Sequence, residues 1–463
     1  MSDSPGLPVE QGCFWLATRA GRRIESLEGT VECDVAILGA GYTGLWTALF
    51  LKELEPGLDV AIVERETAGY GGSGRNAGIV GETLDHSHDL AIAHFGLEEA
   101  RALARLGREN LDEMERDLSE RGIDAGFERT GQLIVALADA HLAQLGKTLE
   151  SAERVGAAGW RLLDAGEARS EIDSPLYRGA LLAPRNALVH PIRLVDGLRN
   201  EAIRLGIRVF EKTGVTGFTG RGERVTVQTA GGRVRARRVV VSTNAYTHHL
   251  LPRLSARFIP LYDYVLVSDP LTDAQRAAIR WRNRRGVSDA RTFFNYYRLT
   301  PDDRILWGTS EAVYYPGNRV DPSCDNSSRH YLGLRESFRR HFPRIAELRF
   351  PYAWGGPIAS TTRLTPFFGA TADRKMVYGL GYTGHGIGST RIAGKILAHL
   401  ALERRCALLE LSMVRRKPLP YPPEPLRRFA VDAVTRSLRR VDAGGRPGPL
   451  LRMLDLLGIG FSS

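Results

Sequence analysis

The chain has 463 residues, 43% of them hydrophobic and 25% charged, with 63 basic against 53 acidic side chains. This is the balance of a globular chain with room for two or three domains, and it excludes collagen-like and low-complexity architectures. The net charge of +10 comes from scattered arginines without a long basic run, so no nucleic-acid partner is expected.

Residues 1–29 read as an irregular arm without the apolar core of a signal peptide. No run of about 18 apolar residues occurs anywhere, so no transmembrane segment is expected. Cys13, Cys33, Cys324 and Cys406 lie far apart and form no CxxC pair, which implies neither a disulfide framework nor a metal site. A reducing compartment follows, with the cytoplasm as the expected location.

DVAILG (34–39) predicts a buried parallel strand, Thr43 to Leu54 a helix, and DVAIVE (59–64) a second strand, together a βαβ unit. GYGGSGRNAG (69–78) is a glycine-rich loop. Helical spacing then runs from Leu90 to about Arg121 and from Asp139 to Val155, with a strand, GQLIVAL, at 131–137 between them. Residues 177–190 read as extended, 191–205 as helix, and 207–242 as strands, including a meander. LYDYVLV, TFFNYYRLT and RILWGTS place aromatic and β-branched residues at strand spacing through 260–310. A helix is expected at 326–341, extended segments at 350–358 and 376–381, and a last helix near 388–402. The proline-rich KPLPYPPEPLRR makes the start of the tail extended.

The first βαβ unit carries Gly39-Ala40-Gly41-Tyr42-Thr43-Gly44, and Glu64 ends its second strand 20 residues after Gly44. Each part has a task in dinucleotide binding. Gly39 permits the tight turn, Gly41 lets a pyrophosphate approach the backbone, and Gly44 lets the helix pack closely on the strand. The pyrophosphate would sit at the helix N-terminus, where free N–H groups and the dipole favour negative charge. Glu64 would accept hydrogen bonds from ribose hydroxyls, and an acid there argues against a 2′-phosphate.

Several stretches resemble the D-amino-acid oxidase-like family of FAD-dependent oxidoreductases, and within it the γ-glutamylputrescine oxidoreductase type of amine oxidases. They are GAGYTGLWTALFL with its acid, the SGRN loop, HPIRLVDGLRNEAIRLGIRVFEKTGV (190–215), VVVSTNAYT (239–247), YYRLTPDDRILWG (296–308), WGGPIASTTRLTPFFG (354–369) and GLGYTGHGIGSTRIAGKILA (379–398). The resemblance implies FAD as cofactor. It places Ser73, Gly74, Arg75 and Asn76 by the pyrophosphate and isoalloxazine, and the Val215 backbone by the adenine. Gly384, His385, Gly386 and Ile387 would lie at the pyrimidine end of the flavin. Tyr42, Thr43, Arg65 and Thr243 fall inside or beside these motifs and join the expected cofactor site. Where some relatives attach the flavin to a cysteine, this chain has Ser360 and no cysteine near, so non-covalent FAD is expected. ILWGTS holds no lysine to activate oxygen, which leaves O2 and another electron acceptor both open.

The activity implied is oxidation of a small primary or secondary amine or an amino acid, by hydride transfer to the flavin and hydrolysis of the imine. Such chemistry needs positioning more than a catalytic triad. Arg298 is the expected carboxylate-binding residue, Tyr296 or Tyr297 (on opposite strand faces) would line the pocket, and His385 would lie near the flavin. The alternatives are a dehydrogenase of hydroxy acids or glycerol phosphate and a flavin domain in RNA modification; fold-level motifs do not separate C–H bonds beside nitrogen from those beside oxygen. The expected fold is α/β: a discontinuous Rossmann-like FAD-binding domain (30–84, 150–254, 346–405) and a mixed, largely antiparallel substrate domain (85–149, 255–345). A tail, 406–463, follows.

Overall fold

The computed structural model describes residues 7–219 and 223–456; residues 1–6 of the arm, 220–222, and 457–463 of the tail lie outside the described residues. Apolar runs from both halves of the chain build the first sheet. Its strands run in the order Phe367–Ala370, Met376–Leu380, Gly232–Val241, Gly29–Leu38, Val60–Val63 and Arg208–Phe210. The four pairings from Met376–Leu380 to Arg208–Phe210 are parallel, as expected for strands joined by helical crossovers. A hairpin of Val215–Thr219 and Val225–Thr229 is appended to Gly232–Val241.

The helix Tyr42–Leu54 is buried over nearly its whole length because it lies between this sheet and the helix Gly386–Ala401. The two helices touch where a Cβ on Gly394 would come within 2.7 Å of the Trp46 Cβ. A side chain at Gly394 would therefore push them apart.

The second sheet runs Tyr352–Ser360, Ile259–Val267, Ile305–Tyr314, Asn295–Leu299, Gly286–Asp289, Gln132–Ala136, Gly179–Ala183 and Arg161–Leu163. Gly286–Asp289 and Gln132–Ala136 pair in parallel, and the other pairings are antiparallel. Its strands alternate. Tyr262, Tyr264, Leu266, Tyr297 and Trp307 enter one core with the helix Ser328–His341, which leaves the opposite face to Leu261, Asp263, Tyr296 and Gly308.

Two expectations need correction. Arg161–Leu163, Gly179–Ala183 and Tyr352–Ser360 belong to the second sheet, although 150–254 and 346–405 read as cofactor domain. Their sheet is decided by distant hydrogen-bonding partners, which local hydrophobicity does not encode. The arm is not wholly irregular: Val9–Gly12 and Phe14–Ala17 are single helical turns, and the buried Trp15 indole N–H donates to the Asn76 carbonyl at 2.9 Å. Beyond its extended, proline-rich start, the tail forms the helices Leu426–Asp442 and Pro449–Leu456.

Candidate active site

A cavity of about 870 Å³ lies between the two sheets, at the upper end of the ~300–1,000 Å³ usual for cofactor and ligand sites. The glycine motif forms one end. The helix Tyr42–Leu54 begins at Gly41, which offers no side-chain cap; the Tyr42 N–H is taken by Ser73 Oγ, and the N–H groups that follow it in the first turn are left for a ligand. A Cβ on Gly41 would stand 2.9 Å from Ser73 Oγ and fill the cradle. Gly44 does not line the cavity; a Cβ there would meet the Gly39 carbonyl oxygen at 2.0 Å, so its task is the helix–strand approach. Gly74 is likewise outside the lining, packed against the Gly69 carbonyl.

Glu64 lines this end and accepts from the Ala40 N–H at 2.9 Å and the Glu66 N–H at 3.0 Å. Burial raises its pKa, and these donors oppose the rise. Arg65, Thr243 and Val215 lie in the same wall, as do Tyr42 and Thr43, whose hydroxyl donates to the Tyr382 oxygen at 2.8 Å.

Ser73 Oγ accepts from the Tyr42 N–H at 3.0 Å, which ties the SGRN loop to the helix start. Asn76 lines the cavity beside Ser73 and caps its own loop through the Gly78 N–H at 2.8 Å. Arg75 is buried against Asp325 at 2.8 Å and donates to the Tyr70 carbonyl at 2.7 Å, yet its Nη2 has no protein partner. An orphaned guanidinium nitrogen at the wall of a cavity fits a bound acceptor such as a cofactor oxygen.

At the other end His385 is the N-cap of the helix Gly386–Ala401, again with no side-chain cap. Gly384, Gly386 and Ile387 line the cavity with it. The backbone at Gly384 is left-handed, with φ +86°, and a Cβ there would meet nothing within 4 Å. The turn therefore needs glycine for its conformation, not for space. The His385 ring stands edge-on to His86 at 4.3 Å between centroids. Burial lowers the pKa of both, and His385 lowers that of His86 further, while the Thr383 carbonyl opposes the shift at His385.

In the second sheet Tyr296 lines the cavity and Tyr297 does not, since Tyr297 points into the aromatic core and shares a 2.6 Å hydrogen bond with Tyr177. Arg298 is a correction. It is 1% exposed, absent from the lining, and donates to the carbonyls of Val189 at 2.7 Å, Gly78 at 3.2 Å and Leu299 at 3.0 Å. Burial lowers its pKa to about 9, with Glu128 opposing the shift and Arg284 adding to it. It ties the second sheet to the loops of the first and does not line the cavity.

Sequence reasoning missed three parts of the wall. Asp263 lines the cavity and accepts the Tyr296 hydroxyl at 2.7 Å. Arg291 lines it while gripping both Asp289 oxygens at 2.7 Å. The tail closes the cavity with Ala430, Val431, Val434 and Leu438, one face of its first helix. Asp442 latches that helix by accepting the N–H groups of Thr292 at 2.8 Å and Phe293 at 2.9 Å. The spacing of those four apolar residues is a helical signal that the neighbouring prolines overshadowed. Among the described residues no group of acids, histidines and cysteines could hold a metal ion.

Residues 34–400 match the family described as DAO, FAD dependent oxidoreductase. The chain belongs to that family. It is 35% identical over 378 residues to γ-glutamylputrescine oxidoreductase of Escherichia coli (strain K12), covering 81% of this chain and 85% of the relative. Among solved structures, glycine oxidase from Geobacillus kaustophilus aligns with a TM-score of 0.67 and 22% identity, over 83% of this chain and 99% of that one. L-proline dehydrogenase from P. horikoshii aligns with a TM-score of 0.67 and 18% identity, over 82% and 96%. Those two likenesses establish the fold. The protein is an enzyme, an FAD-dependent oxidoreductase of the amine and amino-acid oxidising class, and its FAD is non-covalent. Ser360 lines the cavity, and no cysteine does among the described residues.

Proposed function

We propose that this enzyme oxidises a small primary or secondary amine or an amino acid at the carbon next to nitrogen, and that the imine product hydrolyses in water. The observation that carries this reading is the junction of two environments in one cavity: a dinucleotide cradle with two uncapped helix starts, and a roof of aromatic and aliphatic side chains. Bound FAD supplies the acceptor for the electron pair. The chain supplies position and solvent exclusion. Gly39, Gly41 and the Tyr42 N-terminus would hold the pyrophosphate, and Glu64 the ribose. The backbone N–H groups after His385 would face the end of the flavin that gains negative charge. Phe293, Phe294, Val434 and Leu438 exclude water and so favour the neutral, oxidisable form of the reacting amine.

In this reading the first sheet with its helices is the cofactor unit and the second sheet the substrate unit. The electron acceptor is O2 or a protein or quinone carrier. No helix among the described residues is long and apolar enough to cross a membrane, and four unpaired cysteines support a cytoplasmic location.

Anaerobic addition of amines, γ-glutamylated amines and amino acids to the yellow protein tests the reading. Bleaching of the visible flavin bands by one of these is the expected result, and the rate of recovery in air then separates oxidase from dehydrogenase. Bleaching by hydroxy acids or glycerol phosphate, with no response to any amine or amino acid, would overturn it.

A further inference from the structure

Three carboxylates line the cavity: Glu64, Asp263 and Asp289. Glu64 is engaged by the backbone of the cofactor motif. Asp289 is held on both oxygens by Arg291 and also accepts the Asn295 N–H at 2.8 Å. Asp263 differs. Its recorded side-chain partner is one neutral hydroxyl, that of Tyr296, on Oδ2. Among the described residues no cation pairs with it: burial, Tyr296 and its own backbone are what act on its charge.

The arginines of the lining are the reverse, all engaged. Arg75 is neutralised by Asp325, Arg291 by Asp289, and Arg427 donates to Asn318 at 2.8 Å and the Pro422 carbonyl at 2.9 Å. Arg65 lies at the cofactor end, beside Glu66 and over the Tyr246 ring. Thus the substrate end of the cavity has a carboxylate without a cation, while Arg427, the lining arginine without a carboxylate partner, spends its donors on the neutral Asn318 and Pro422 oxygens.

The backbone builds this arrangement deliberately. Asp263 sits at a register shift between Tyr262 and Tyr264, where the Ile259–Val267 strand slips against Ile305–Tyr314. Bulges of this kind re-aim side chains beside active sites. Tyr296 pairs directly opposite Gly308, and its ring lies over that glycine: a Cβ there would be 2.3 Å from Cε2 and Cζ. Without a side chain at Gly308, the phenol can cross one strand and reach the carboxylate on the next.

We propose that Asp263, fixed by Tyr296 across Gly308, binds an ammonium group of the substrate that is not the nitrogen being oxidised. The reacting nitrogen must be neutral to give up hydride from its neighbouring carbon, and a carboxylate beside it would hold it in the ammonium form. A buried carboxylate therefore suits a second nitrogen, and the substrate class is an amine bearing a further cationic amino group, a diamine or polyamine. Burial raises the Asp263 pKa to about 6, so it remains ionised at neutral pH and gains most from an arriving cation. This inference rests on the amine-oxidising reading above.

The test compares butane-1,4-diamine with butan-1-amine on the flavin-loaded enzyme and on Asp263→Asn, following anaerobic flavin reduction. The native enzyme should favour the diamine in kcat/KM by tenfold or more, mainly through KM. In Asp263→Asn, with flavin content retained, that ratio should fall to near one; Tyr296→Phe should give an intermediate ratio. A diamine preference that persists in Asp263→Asn, or a native enzyme that prefers the monoamine, overturns the assignment while leaving amine oxidation standing. Failure of every amine to reduce the flavin overturns both.

Discussion

The cofactor side of the cavity is laid by a mainly parallel sheet whose two longest strands end in apolar runs, and the substrate side by mainly antiparallel strands that alternate. In the first, each functional position is local: the turn at Gly39, the helix start at Gly41 and the acid at Glu64 belong to one βαβ unit. In the second, each functional position is a meeting of distant residues. Tyr296 reaches Asp263 from two strands away, and the tail residue Asp442 latches the loop at Thr292. The first side can hardly change without losing the cofactor, whereas the second can be refitted to a new substrate one side chain at a time.

The largest effect should come from breaking the cofactor side at its tightest point. Gly44→Val places a branched side chain where even a Cβ stands 2.0 Å from a backbone oxygen. The helix must move off the strand, so the purified protein should carry no flavin and its visible bands should be absent. Retention of stoichiometric flavin would show that this packing is dispensable.

Next is Arg298→Met, on the substrate side. It removes donors from the Val189, Gly78 and Leu299 carbonyls. A loss of about 3 kcal/mol in unfolding free energy is expected, measured by denaturant titration, with KM for the best substrate within about twofold of native. A large rise in KM at unchanged stability would instead return Arg298 to the substrate site.

The smallest effect sharpens the comparison by pH. His341 packs among Tyr297, Trp307 and Phe342 beside the second core, and burial lowers its pKa to about 4. Between about pH 6.5 and 4 the unfolded chain binds a proton here that the folded chain does not, so stability falls as pH drops through that window. The contribution is on the order of 2 kcal/mol at its acid end. His341→Gln should flatten this part of the pH profile of Tm, and an unchanged profile would place the acid sensitivity elsewhere.

Much of the cofactor side was legible because its signals are short. Gly39, Gly41, Glu64, Ser73 and Gly384 fall in contiguous motifs, and the structure gathers them along one cavity. That one of Tyr296 and Tyr297, and not both, lines the cavity was also legible, because period-two alternation puts them on opposite faces; the structure selects Tyr296. Arg298 misled for a related reason. It lies on the same strand, one residue beyond Tyr297, but an arginine's polar end goes where acceptors are, and here backbone carbonyls from residues 78 and 189 claim it. Nothing near Arg298 in the sequence announces those partners.

By itself, the sequence determined the βαβ unit, the identity of the dinucleotide site, the family, and the parallel and alternating character of its strands. These depend on residues within a few positions of one another, where sterics and hydrophobic period act directly. Only the tertiary structure decided which sheet Gly179–Ala183 and Tyr352–Ser360 join, that the tail helix closes the cavity, and that Asp263 is left without a cation. Those outcomes are set by strand register and by which side chains exhaust one another's hydrogen-bonding capacity across long separations, and neither quantity is written in any one stretch of chain.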